Sequence, residues 1–358
     1  MVSKMNRAVV CAVMAAVLLT GCGKAEESKD SSSKKGSSEA ESSSTAETES
    51  DGNNYSIEQE IKPVFDEIIV NPEVEEAVEK AEPQQVNVEG YYSFQWENFG
   101  EVYSNEELEN CFDRLEEIIN NSYFDLAFSY QNAETGAYVG YNRYEEFMTC
   151  STIKAPYIKS ILADGANLAE IITRDKYWPG DQDDDDYVAR MADGTEFTAK
   201  ELMEYAIRKS DNTAYYLLED KFGYMGFNNN LANIGANYRL GDTWIFTYST
   251  ADDMLKSYLD IYDYAEKDER GQWLVDLMSS TELDIQISQA LGGKYKVAHK
   301  YGSEFNESVF NDCAIVYADS PFVLCIMTNQ MPETEESCKV FKELAVVFDD
   351  INSLLAVQ

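Results

Sequence analysis

Strand patterns occur in only two blocks of this 358-residue chain, and a long run of helical periodicity separates them. The first block is "YFDLAFSY" (residues 123–130), where Phe124, Leu126, Phe128 and Tyr130 alternate as in a half-buried strand. The turn "QNAETG" then leads into "AYVGYN", its hairpin partner. The second block holds "YKVAHKYGS", "VFNDCAIVYA" and "PFVLCIMTN", with Asp319-Ser320-Pro321 turning the chain between the last two. Helices bracket both blocks. The order is therefore helix, two strands, many helices, three strands, helix. It predicts an α/β chain of the α+β type: an antiparallel five-stranded sheet flanked by N- and C-terminal helices, with a mainly helical subdomain inserted at about 164–290.

The helices carry start signals. Ser104 and Glu107 form a capping box ahead of a face made by Leu108, Cys111, Phe112, Leu115, Ile118 and Ile119. Thr198 and Glu201 form another, opening "TAKELMEYAIRKSDNTAYYLLEDKF". The final helix carries Cys338, Phe341, Leu344, Phe348 and Leu355 on one face.

The beginning of the chain predicts an extracytoplasmic address. Lys4 and Arg7 precede an apolar run from Ala8 to Leu19 that is too short to span a bilayer and has the layout of a secretory signal. "LTGC" resembles a bacterial lipobox, which implies a signal peptide at 1–21 and lipid on Cys22, hence a membrane lipoprotein. Residues 22–55 are Ser/Glu-rich and too poor in apolar side chains to offset chain entropy, so a flexible tether is expected. Residues 56–103 combine the helical periodicity of "IEQEIKPVFDEIIV" with the aromatics of "YYSFQWENFGEVY", and part of them is expected to pack on the domain at 104–358.

A formal net charge of −38 argues against nucleic acid and anionic lipid headgroups as partners. The "DQDDDD" run at 181–186 lacks the glycine and terminal glutamate of an EF-hand loop and reads as a solvated loop. Seven cysteines, two of them in the leader region, leave five without a paired spacing, so no disulfide framework is implied; Cys313 and Cys325 read as core residues. The single histidine, His299, excludes a histidine-rich zinc site, and no metal is expected.

Within the helical part and the second strand block lie three short motifs. Ser151 and Lys154 stand three apart at a helix start, in "TCSTIKAPYIKSIL"; Ser210-Asp211-Asn212 interrupts the helices; Lys300-Tyr301-Gly302 lies on a strand. Each alone is weak: Ser151 could be an N-cap, Lys154 a surface lysine, and Ser210-Asp211-Asn212 a turn. The same S-x-x-K spacing also occurs at Ser31/Lys34 and Ser32/Lys35 in the tether. As an ordered set they match S-x-x-K, S-D-N and K-T-G with one letter changed. With the flanks "DGTEFTAKELMEYAIRKSDNTAYYLL" and "VAHKYG…NDCAIVYADSPFVLCIMTN", residues 104–358 closely resemble the class A β-lactamase and penicillin-binding protein superfamily of serine hydrolases.

The resemblance implies that Ser151 is a nucleophile and that Lys154, its pKa lowered by burial and a second ammonium, takes the hydroxyl proton. It also implies that Ser210 relays a proton to the leaving nitrogen. Asn212 would hold the substrate's amide side chain, and Lys300 with Tyr301 and Gly302 its carboxylate end. An oxyanion hole would use the backbone N–H groups of Ser151 and Ser303. No cofactor is implied, and a monomer is expected. His299, next to Lys300, should point to the opposite face and serve structure. Nothing beside Cys150 activates its thiol.

Two departures stand out. The glutamate that releases the acyl-enzyme in class A β-lactamases has no counterpart after "LANIGANYRL"; only "GDTWIFTY" precedes "STADDM", and Asp242 is the one carboxylate there. Tyr301 replaces a Thr or Ser. The sequence thus supports acyl transfer through a Ser151 ester with slow deacylation, on β-lactams. The alternatives are a D,D-carboxypeptidase or penicillin-binding protein acting on D-Ala-D-Ala-type peptidoglycan peptides, and a non-catalytic sensor or binding lipoprotein.

Overall fold

The computed structural model describes residues 94–97, 106–174, 186–241 and 245–355. The expected signal peptide, Cys22, the tether, Ser104 and Asp242 lie outside the described residues, as does most of segment 56–103. In chain order, β1 (Phe94–Glu97) is followed by α1 (Glu106–Asn121), β2 (Leu126–Asn132), β3 (Tyr138–Tyr141) and β4 (Glu146–Met148). A 3-10 turn (Cys150–Ile153) runs straight into α2 (Lys154–Ala163), and β5 (Ile171–Arg174) and β6 (Thr195–Thr198) come next. The helical stretch continues with α3 (Ala199–Arg208), α4 (Asn212–Phe222) and α5 (Met225–Asn233). The short β7 (Tyr248–Thr250) precedes α6 (Ala251–Ala265), α7 (Glu269–Met278) and α8 (Ile287–Leu291). The chain ends through β8 (Lys296–Glu304), β9 (Val309–Tyr317), β10 (Phe322–Thr328) and α9 (Glu335–Leu355).

The two strand blocks meet in one antiparallel sheet ordered β1-β3-β2-β10-β9-β8. β2 is the joint: Phe128 faces Tyr141 of β3 on one side and Ile326 of β10 on the other. Five of these strands are the predicted ones. The sixth, β1, arises from segment 56–103 and sets Trp96 opposite Val139 at the sheet edge.

Helices cover both faces of the sheet, so β2 is buried on both sides rather than half-buried. Alternate residues of β10 feed two cores. Phe322, Leu324 and Ile326 join Leu108, Leu115, Phe341, Leu344 and Phe348 under α1 and α9. Val323, Cys325 and Met327 join α2, α6 and the rest of the helical part. Phe348 stacks on Tyr130 at 5.0 Å and meets Phe128 edge-on at 5.3 Å. Each such fully buried side chain contributes about 1.5–3 kcal/mol.

α2 is the axis of the helical part. It packs on α5, α6 and α7, and every residue from Lys154 to Leu162 is buried. A helix enclosed on all sides needs no amphipathic stripe. Two lysines on it are therefore out of water, Lys154 and Lys159, the latter tied to Asp260 and Asn230. Pro156 sits in its first turn, where the missing N–H has no helical partner to lose. The Thr198/Glu201 capping box is formed at α3.

Candidate active site

The 3-10 turn that bears Ser151 is held from three sides. Thr149 donates through its N–H (2.8 Å) and its hydroxyl (2.9 Å) to the Thr247 carbonyl, beside the β4–β7 ribbon. Tyr258 on α6 donates to the Thr152 carbonyl at 2.9 Å. On the third side lies β8, the edge strand of the sheet. A Cβ on Gly302 would sit 2.8 Å from the Thr149 oxygen, 2.9 Å from the Ser151 nitrogen and 3.0 Å from Cys150 Cβ. Glycine is needed at 302 because the strand backbone lies directly against the backbone of residue 151. Cys150 takes up the tight entry in a left-handed conformation, φ +46°, which costs a non-glycine residue of order 1–3 kcal/mol.

Neither Ser151 nor Lys154 fits its bland reading. Ser151 is buried and caps neither the turn nor α2. Lys154 is wholly buried, donating at 2.6 Å to the Ser210 carbonyl and at 2.6 Å to Asn212 Oδ1. The rings of Tyr215 and Phe246 lie 5.7 and 5.8 Å from its Nζ. Lys300 is also wholly buried and donates to Ser210 Oγ (3.0 Å) and to the Tyr301 carbonyl (2.9 Å). Ser210 therefore links the two lysines, its carbonyl to one and its hydroxyl to the other. That double engagement goes with a left-handed backbone, φ +57°. Burial, and then the neighbouring charge of Lys154, hold the Lys300 ammonium well below the usual lysine range.

Asp211 is the N-cap of α4, accepting from Ala214 N at 2.7 Å, and its other oxygen accepts from Val188 N at 2.9 Å. Asp186 reaches the same helix start from the other chain segment. Its Oδ2 accepts from Asn212 N (3.0 Å), Thr213 N (2.9 Å) and the Thr213 hydroxyl (3.1 Å). Two carboxylates thus brace the S-D-N motif at a helix N-terminus, where negative charge is favoured. Burial, then the Asp186 charge, push the Asp211 carboxyl up. The last residue of the acidic run is consequently a buried cap and not part of a solvated loop; residues 181–185 lie outside the described residues.

The structure brings Ser151, Lys154, Ser210, Asn212, Lys300, Tyr301 and Gly302 around one point, with Ser303 following on β8. His299 lies apart from them. Its Nδ1 is 2.9 Å from Asp312 Oδ1 and its Nε2 is 2.7 Å from the Thr281 hydroxyl, a buried bridge between β8, β9 and the segment after α7. Burial and the carboxylates of Glu304 and Glu307 push the Cys150 thiol up to about 12. Sequence reasoning missed Asp186 and Asn311. Asn311 Nδ2 donates to the Met148 carbonyl at 2.8 Å, and its Oδ1 accepts from Thr328 N at 3.0 Å, tying β9 to β4 just before the turn. No residue-type signal marks either one.

A family model described as "Beta-lactamase enzyme family" matches residues 110–348. Among curated proteins none matches. Solved structures share the fold. A class A β-lactamase from Mycobacterium abscessus is 21% identical, with a TM-score of 0.59 over 68% of this chain and 99% of that one. An ancestral class A β-lactamase is 23% identical, with a TM-score of 0.57 over 67% and 99%. PBP-A is 18% identical, with a TM-score of 0.58 over 68% and 96%.

Proposed function

This chain belongs to the β-lactamase enzyme family, and from that premise we propose that it is a class A-like serine hydrolase that transfers acyl groups of β-lactams through an ester on Ser151. The observation that carries the proposal is the buried link Lys154–Ser210–Lys300 beside the turn of Ser151. A neutral amine has two N–H donors and a lone pair. Lys154 in that form can donate to Ser210 O and Asn212 Oδ1 while its lone pair takes the Ser151 proton. Ser151 Oγ then attacks the carbonyl carbon, and the developing oxyanion meets the N–H groups of Ser151 and Ser303. When the C–N bond breaks, the leaving nitrogen needs a proton. Ser210 Oγ accepts from Lys300, which leaves its own hydrogen to pass to that nitrogen. Lys154 returns the proton to Ser210.

Deacylation adds water to the ester and frees Ser151. Between α5 and β7 the sequence offers Asp242 as its one carboxylate. A general base contributes about 10²–10⁴-fold, so we propose slow release. The same feature supports the second reading, a D,D-peptidase or penicillin-binding protein; a variant of PBP-A, a fold neighbour, is known as an acyl-enzyme complex with penicillin G. The leader and "LTGC" support a membrane-anchored lipoprotein, lipidated on Cys22. Intact mass against time tests the chemistry, with benzylpenicillin added to the full chain and to Ser151→Ala. A Ser151 adduct lasting hours is expected. An adduct cleared within seconds would refute slow release, and an adduct that forms equally on Ser151→Ala would refute the nucleophile.

A further inference from the structure

Resting on that acyl-transfer reading, we infer that the site selects acyl donors carrying no carboxylate on the leaving-group side, and that Tyr301, Glu304 and Glu307 impose this choice. The leaving group departs past Ser210, and the cation bonded to Ser210 Oγ is Lys300. An ammonium has three N–H donors. Two of those on Lys300 are taken by Ser210 Oγ and the Tyr301 carbonyl, and its Nζ lies 4.0 Å from the centre of the Tyr301 ring. The ring covers the ammonium as a π-face covers a cation. A carboxylate could reach the third N–H of Nζ only by displacing the ring. Lys154 offers no substitute, since it is wholly buried and engaged with Ser210 and Asn212.

The charges facing outward have the opposite sign. Beyond Ser303, β8 runs to Glu304 and the hairpin tip carries Glu307, which is exposed. Both carboxylates act on the Cys150–Ser151 turn, raising the Cys150 thiol pKa, against the two buried lysines. Glu304 is held in place by Asn306, whose N–H and Nδ2 donate to it at 2.9 and 3.0 Å. An exposed Phe305 lies between them. An incoming anion thus meets the like charge of Glu304 and Glu307 on the strand and hairpin that follow Ser303, and a cation covered by the Tyr301 ring.

The test compares benzylpenicillin with its methyl ester on the full chain, following the rate of the Ser151 adduct by quenched-flow intact mass. The ester is expected to acylate about tenfold faster than the acid, the scale of two screened like charges at several ångströms. In the double variant Glu304→Gln/Glu307→Gln that ratio should fall toward unity, and in Tyr301→Thr it should turn in favour of the acid. An acid that acylates faster than the ester overturns the proposal, as does a ratio that none of these substitutions moves. An uncharged fluorophosphonate separates the two readings. If it labels Ser151 while neither penicillin does, the selectivity proposal falls and the nucleophile stands. If Ser151 takes none of the three, the nucleophile reading fails and the selectivity falls with it.

Discussion

Gly302→Ala should slow acylation about tenfold while removing no polar group from the site. The added Cβ would lie 2.8 Å from Thr149 O and 2.9 Å from Ser151 N, against the 3.4 Å where ordinary contact begins. The two backbones must therefore separate by about half an ångström. The turn is poorly able to give, because Thr149 is fastened to Thr247 and Thr152 to Tyr258. β8 has to retreat instead, and with it the Ser303 N–H. A misplacement of about 1 Å costs on the order of 100-fold, and losing an oxyanion donor outright about 10²–10³; half the displacement gives about tenfold. Overpacking of this kind also costs about 1–3 kcal/mol, a fall in melting temperature of about 2–12 °C for a domain this size. Quenched-flow mass spectrometry with benzylpenicillin, beside a thermal melt, reads both quantities. Acylation at the wild-type rate with an unchanged melt would refute the claim that strand and nucleophile must touch.

Asp186→Ala removes the acceptor of three donors at the start of α4; we expect a stability loss of about 1–2 kcal/mol and slower acylation, because Asn212, a partner of Lys154, loses its anchor. Urea melts and adduct rates read the two effects. Cys150 should resist iodoacetamide at pH 8 in the native chain, since its thiol is pushed up to about 12; native-state alkylation mapped by peptide mass checks this. Burial raises the phenols of Tyr130, Tyr157, Tyr215, Tyr238 and Tyr258. The unfolded chain loses those protons near pH 10 while the native chain keeps them, so their contribution is whole below pH 10 and is lost progressively as pH rises above it. Urea midpoints should therefore fall as pH rises from 9.5 to about 11, and a flat profile would contradict their burial.

The sheet was legible because its signals are local. Alternation in Leu126–Tyr130 and in the three late strands needs only neighbours along the chain, and so do the Thr198 capping box and the three motifs. β1 was not legible: four residues in an aromatic-rich segment carry no period, and only β3 gives them a partner. Asp186 was read wrongly for a related reason. In "DQDDDD" it is one acid among several, and what distinguishes it is the helix start at Asn212, which no spacing along the chain brings near. The left-handed conformations of Cys150 and Ser210 were equally hidden, since neither residue type announces a positive φ.

The costly features of the site share a direction. Each is unfavourable where it stands: two lysines out of water, a serine and a cysteine in left-handed backbone, a carboxyl pushed up beside another carboxylate. A chain selected for stability alone would place a long apolar side chain at 154 or 300, because a buried charge is seldom worth more than the packing that could replace it. They lie together along one seam, between the edge strand β8 and the enclosed helix α2, where the proposed acyl transfer would use them. The cost can be met there because the fold is built on two hydrophobic cores and the turn of Ser151 is pinned by Thr247, Tyr258 and Asn311. Ser210 makes the case most sharply. Its strained backbone serves no helix, strand or cap of its own; it presents one oxygen to each lysine and so holds both of them beside the turn of Ser151.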